Sequence, residues 1–243
     1  MAVTQEFLSE QKPESGDAGS DIFSRLDHVV NQGWAEVHAG RLWKHIREHG
    51  IDQDLYQALM VELFHYTRHN SINQAFAAWK VSPENIGLLK FCYEHADDEL
   101  GHEKMVEHDL RVVGLLTPDL LARAPLPPTQ ALIAYLYYIG FTKGAIARLG
   151  YSYWAETAYD HIAEVLTAIR QHLGFTDPQL TFFVSHQKVD VHHAKQVHDA
   201  IERYAVSPED QASVIEVART TLYLTGKLLE AAFDAYTAGR SKE

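Results

Sequence analysis

The chain has 243 residues, is 46% hydrophobic and contains a single cysteine, Cys92. That length and apolar content can bury a sizeable core and suit one large domain. The formal net charge of -12 argues against nucleic acid or an anionic membrane as the main partner, and one cysteine excludes an internal disulfide framework and any cysteine-rich zinc site while suiting a reducing cytosol.

In chain order, residues 1–20 are rich in Ser, Gly, Glu and Pro and lack the basic start and apolar run of an export signal. They read as a mobile tail ahead of a helical domain over 21–240. Residues 21–49 predict one or two helices, and residues 53–79 a long apolar-periodic helical stretch. Ser82 as a cap, Pro83 at the first helical position and Gly114 near the end predict one long helix between them. "ARAPLPP" is a linker, and residues 129–172 are again helical by periodicity. Pro178 and Pro208 predict two further helix starts, the last helix running towards Gly239. Strand-like alternation bounded by tight-turn dipeptides is absent, so the expected fold is an all-α bundle of about seven helices.

The segment "SHQKVDVHHAKQVHDAI" concentrates imidazoles. At about 100° per residue, His186, Asp190 and His193 fall within roughly 60° of one another and form one stripe, which His192 and His198 do not join. In "HADDELGHEK", Glu99 and His102 have the three-residue spacing that lets a carboxylate and an imidazole reach one metal from a single helix. Asp190 and His193 repeat that spacing. Bundles that hold two metals commonly add one Glu from each remaining core helix, and Glu62 and Glu156 stand in the right order. An isolated Glu-x-x-His is ordinarily a solvated surface pair; here the order of four helices carries the metal reading. Carboxylates and imidazoles together suit iron better than structural zinc.

The segments "LGYSYWAE", "DDELGH" and "FFVSHQKVDVHH" resemble the haem-oxygenase-like di-iron oxidases, related in fold to thiaminase-type and pyrroloquinoline-quinone-synthesis proteins. The likeness covers roughly residues 50–205 and is most specific at His186, Asp190 and His193, with Glu156 and His102 matching as well. It implies a haem-oxygenase-like bundle with the metal between core helices, two irons per chain, and dioxygen as co-substrate with an external reductant where one is needed. It also implies oxidation of a small amine, amino-acid-derived or fatty-acid substrate by N-oxygenation, desaturation or carbon-carbon cleavage. The metal ligands expected on this basis are Glu62, Glu99, His102, Glu156, His186, Asp190 and His193. Glu94 or His95 stands in reserve for Glu99, and Glu99 and Glu156 are the candidate catalytic carboxylates.

The substrate is less legible. Trp154, Tyr153, Phe182 and Phe183 are candidate lining residues, although aromatics at helical spacing also build ordinary cores. Arg68 and Lys143 are candidates to hold a substrate carboxylate, and Gly140, Gly144 and Gly150 either make room for a ligand or permit close packing. The partners expected are a small molecule and a second copy of the chain in a homodimer, with neither nucleic acid nor membrane, in the cytoplasm. Two alternatives remain: a ferritin-like metal-binding protein without substrate oxidation, and a thiaminase-type hydrolase using Cys92 as nucleophile.

Overall fold

The computed structural model describes residues 21–240, with the side chains of residues 186–191 left aside. The tail and the expected ligands His186 and Asp190 therefore lie outside the described residues. Among those described, all regular structure is helical: α1 (Ile22–His38), α2 (Arg41–His49), α3 (Gln53–Thr67), α4 (Asn70–Ala77), α5 (Ile86–Asp98), α6 (Glu103–Val112), α7 (Pro127–Thr142), α8 (Ala145–Ala155), α9 (Tyr159–Leu173), α10 (Thr181–Tyr204) and α11 (Pro208–Arg240), with three short 3₁₀ turns. No described helix is long and apolar enough to cross a membrane.

Eleven α-helical segments replace the seven or so expected, because three long predicted helices are broken. The stretch 53–79 breaks at Arg68–His69, the stretch beginning at Ser82 breaks between Asp98 and Glu103, and the stretch 129–172 breaks at Gly144 and again after Ala155. Gly101 and Gly144 adopt φ of 90° and 84° at two of these breaks, a region that L side chains avoid. The start expected at Ser82 and Pro83 also moves: Asn85 is the N-cap of α5, its side chain accepting from the Leu88 N–H. Pro178 begins a 3₁₀ turn rather than α10.

The long helix α11 packs against α1, α3, α7 and α8. Gly150 sets its separation from α8, since a Cβ there would stand 1.9 Å from the Val214 carbonyl oxygen and 2.9 Å from the Ala218 nitrogen. The glycines of this region thus serve packing and turns: Gly150 a close helix contact, and Gly144 the left-handed cap of α8.

Two buried carboxylates start helices. Asp109 on α6, fully buried, accepts from the Thr181 and Phe182 N–H groups and the Thr181 hydroxyl, and so fixes the N-terminus of α10. Glu62 on α3 does the same for α7, accepting from the Leu126 N–H at 3.1 Å and from the Thr129 hydroxyl.

Candidate metal centre

Three helix breaks converge on one place. Glu99 directly follows the last residue of α5, Glu156 directly follows the last residue of α8, and Asn70 opens α4. A helix C-terminus carries partial negative charge from its unsatisfied carbonyls. Two carboxylates at two such ends are therefore unstable as anions unless a cation joins them.

The imidazoles supply the partners. His95, in the last turn of α5, lies 3.1 Å from Glu156 through Nε2. His193, in the second half of α10, places Nδ1 3.4 Å from Glu156 and 3.8 Å from Glu99, and Nε2 3.4 Å from Asp98. One ligand atom each of His95, Glu156 and His193 lie within 4.8 Å of one another. His102 approaches Glu99 at 3.2 Å, so the Glu-x-x-His contact forms across the turn between α5 and α6 rather than along a continuous helix. The four central side chains are 2–8% exposed, which removes bulk water as their counter-charge.

Protonation follows from this crowding. Burial pushes the Glu156 carboxyl up, but the hydrogen bonds with His193 and His95 outweigh it and hold it below the ordinary value. The bond to Glu156 raises the His193 imidazole to about 9, with burial opposing and the Glu156, Glu99 and Asp98 charges adding to the rise. At His102 burial lowers the pKa, yet Glu99 wins and the net direction is up. A protonated His193 thus serves as the cation in the metal-free protein.

One carboxylate is positioned from behind. The Arg148 guanidinium, 1% exposed, has no direct carboxylate partner among the described contacts. It donates to Asn73 Oδ1 at 2.5 Å, to Gln74 Oε1, to Ser152 Oγ at 3.0 Å and to Asn70 Oδ1 at 2.8 Å, and burial pushes it down to about 10. A guanidinium only donates, so Asn70 must turn its oxygen towards Arg148. Its Nδ2 is left for Glu99 Oε2, at 2.8 Å.

The donor set fits a redox metal. Two imidazoles and two carboxylates are gathered away from bulk solvent, the helix ends favour positive charge, and His95 Nδ1 is buried without a hydrogen-bond partner. Of the expected ligands, Glu99, His102, Glu156 and His193 come together. Glu62 does not: its carboxylate caps α7, where helix N–H groups attract it, and burial raises its pKa. His95, held in reserve, belongs in the group; on α5 it lies four residues before Glu99 and so on the same face. Asn70 and Arg148 were missed, although a lone arginine in the apolar run "GAIARLGYSYWAE" was a usable signal.

A cavity of about 190 Å³ adjoins the cluster and includes Glu99, Glu156 and Asn70 in its wall. Trp154, Phe182 and Phe183 line it, whereas Tyr153 and Arg68 do not. Tyr153 turns outward to donate to Asp27 at 2.6 Å, Arg68 is exposed over the Phe64 ring, and Lys143 pairs with Glu216 at 2.6 Å on the surface. Cys92 is fully buried in a separate small apolar cluster, and burial pushes its thiol up to about 11. That is the opposite of what a nucleophile needs.

Comparison with known proteins agrees with this chemistry. Residues 57–226 match the family model described as iron-containing redox enzyme. The 4-aminobenzoate synthase of Nitrosomonas europaea is 24% identical over 222 residues, covering 88% of this chain and 87% of that protein. A structure from Shewanella denitrificans, a domain of unknown function with a haem-oxygenase-like fold, superposes with a TM-score of 0.88 at 34% identity, over 93% of this chain and 97% of that one. A TenA homologue from Pseudomonas syringae pv. tomato shares the fold at 14% identity, with a TM-score of 0.72 over 88% of this chain and 93% of that one. The fold is haem-oxygenase-like, and the chain belongs to the family of iron-containing redox enzymes.

Proposed function

We propose that this protein is a non-haem, dioxygen-dependent oxidase or oxygenase that holds two irons and acts on a small organic substrate of biosynthetic metabolism. The observation that carries the reading is the meeting of the buried His95, Glu156 and His193 group with a largely apolar cavity, Glu156 belonging to both. His95, Glu156 and His193 would hold one ion; Glu99 and His102, with His186 and Asp190 as the sequence reading assigns them, would complete the second site. Iron there supplies the electrons that reduce dioxygen, in a ligand set that tolerates both ferrous and ferric states.

The chain's own residues do the rest. The proton that His193 Nδ1 holds against Glu156 must leave before that nitrogen can act as a ligand. Asn70 holds one oxygen of Glu99, leaving the other towards His193. The aromatic walls around Trp154, Phe182 and Phe183 exclude water from the substrate. The relation to 4-aminobenzoate synthase supports a biosynthetic role.

Iron-reconstituted protein, given dioxygen, a reductant and a panel of small amines, phenols and amino acids, tests the reading by oxygen uptake and product mass. Substrate-dependent uptake with oxygen inserted, hydrogen removed or carbon dioxide released is the expected result, lost in His193→Ala. Iron taken up and oxidised with no substrate-dependent uptake would favour a ferritin-like carrier instead.

A further inference from the structure

Helix α7 lacks the polar outer face that a surface helix ordinarily carries. Its exposed residues are Pro127, Gln130, Ala131, Ala134, Tyr138 and Phe141. At about 100° per residue they fall within roughly 100° of one another and form one stripe. Side-chain polarity in that stripe is confined to Gln130 and the Tyr138 hydroxyl, and α7 contains no Asp, Glu, Lys, Arg or His. A helix without a charged face is ordinarily buried on all sides.

The apolar surface continues onto α4 and the 3₁₀ turn after it. The Trp79 and Phe141 rings stack with centroids 5.5 Å apart, Phe76 meets Tyr137 at 6.0 Å, and the Trp79 indole donates to the Gly140 carbonyl at 3.1 Å. Residues 70–79 add no charged side chain. Lys80 marks the edge, its ammonium donating to the Thr142 carbonyl at 2.8 Å. Trp79, Tyr138 and Phe141 are 56–59% exposed and Phe76 is 37% exposed. At roughly 150–250 Å² per aromatic side chain, these four rings leave on the order of 400 Å² in water. That is about half of the ~800 Å² that each partner buries in a standard interface, before the alanines of the stripe are counted.

Charge and shape select the occupant. The chain carries a formal charge of -12, so two copies repel over most of their surface, and this face lets them meet without apposing acids. The stripe is also complementary to itself, with the small Ala131 and Ala134 in one half and the large Tyr138 and Phe141 in the other. A second α7 laid antiparallel across it, with a two-fold axis at the level of residue 136, sets Ala134 opposite the partner's Tyr138 and Ala131 opposite the partner's Phe141. One axis serves both pairs and their reciprocals, as an isologous contact requires.

We infer that the α7 face, extended by Phe76 and Trp79, is a homodimer interface in which antiparallel copies of α7 seat Tyr138 and Phe141 of each chain against Ala134 and Ala131 of the other.

Sedimentation velocity of the full chain tests this. At micromolar concentration the protein should sediment as a dimer of the 27.5 kDa chain. Tyr138→Asp combined with Phe141→Asp would bury unpaired carboxylates on association, so the dimer dissociation constant should rise by at least about 100-fold. Both side chains are more than half exposed in the single chain, so helical content should hold. Register is read by cysteine crosslinking. Ala134→Cys combined with Tyr138→Cys places thiols at facing positions, within the ~7 Å between Cα atoms that a disulfide can bridge. Mild oxidation should therefore yield a covalent dimer, which Lys44→Cys on the exposed side of α2 should not; the native Cys92 is buried. Should the double Asp variant lose its helical content, the crosslink decides. A monomeric unmodified protein, a dimer that survives in the folded double Asp variant, or crosslinking no faster in the paired cysteine variant than in Lys44→Cys would overturn the inference.

Discussion

The contact between α8 and α11 and the cluster at the C-terminal end of α8 lie on one helix yet are built on opposite principles. Along the first, Gly150 lets two backbones meet so closely that a single methyl group has no room, and the neighbouring Leu149, Val214 and Ala218 are dry and apolar. At the second, the helix stops, and Glu156 is left buried beside a second carboxylate and two imidazoles. Regular packing minimises unpaired polar groups. The cluster collects them, at three helix ends, where substitution should change chemistry before it changes the fold.

His193→Ala should break that contrast most severely on the cluster side. Activity should fall by more than about 100-fold, since losing even an outer-shell partner of a metal commonly costs about 10–100-fold. Far-ultraviolet circular dichroism should hardly change, because the α10 N-terminus is fixed by Asp109 and not by the cluster. A His193→Ala protein with full oxidation activity would remove His193 from the site.

Gly150→Ala tests the other region. The added Cβ meets the Val214 carbonyl and Ala218 nitrogen, both backbone atoms that cannot rotate away. Overpacking of this kind costs about 1–3 kcal/mol or more, read as a lowered denaturant midpoint. The folded fraction should bind as much iron as the unmodified protein.

Asn70→Ala should have a smaller and purely local effect. It removes one donor to Glu99 Oε2, which keeps its contact with His102, and one acceptor of Arg148, so iron affinity should fall by about 10–100-fold with little change in helical content. Unchanged affinity would show that Glu99 needs no positioning from behind.

The smallest effect expected is on the metal-free protein's pH dependence. His193 is raised from 6.5 to about 9 in the folded state, so its contribution to stability is complete below pH 6.5 and is lost as pH rises through 9. His102, raised by Glu99 despite burial, acts in the same sense. Melting temperature should therefore decline across that interval, and His193→Gln should flatten the decline; an unchanged slope in the variant would place the titration elsewhere.

Helical class and the pairing of Glu99 with His102 were legible because periodicity and i,i+3 spacing are local properties. Sequence order cannot tell a carboxylate that faces the bundle centre from one that caps a neighbouring helix, as Glu62 does; Thr129 and Leu126, which hold it, lie more than 60 residues away. His95 was underweighted although His95, Glu99 and His102 repeat the four- and three-residue spacing of His186, Asp190 and His193, which already sets it on their helix face. The break at Glu99 depends on burying Asn70 and Ser71 of α4 against α5, where Ser71 donates to the Ala96 carbonyl. Arg148 stood out as a lone arginine in an apolar run, but its partners were not legible, because they are neutral amides of a helix about 75 residues earlier and no local pattern marks such a contact.

Anaerobic titration of the metal-free protein with ferrous iron, followed by equilibrium dialysis and repeated on Glu156→Ala, tests the central claim most directly. The account predicts saturation close to two irons per chain, with the Glu156→Ala protein losing high-affinity binding while remaining helical. Saturation at one iron in excess metal would contradict the paired centre, and undiminished binding by Glu156→Ala would contradict the site itself.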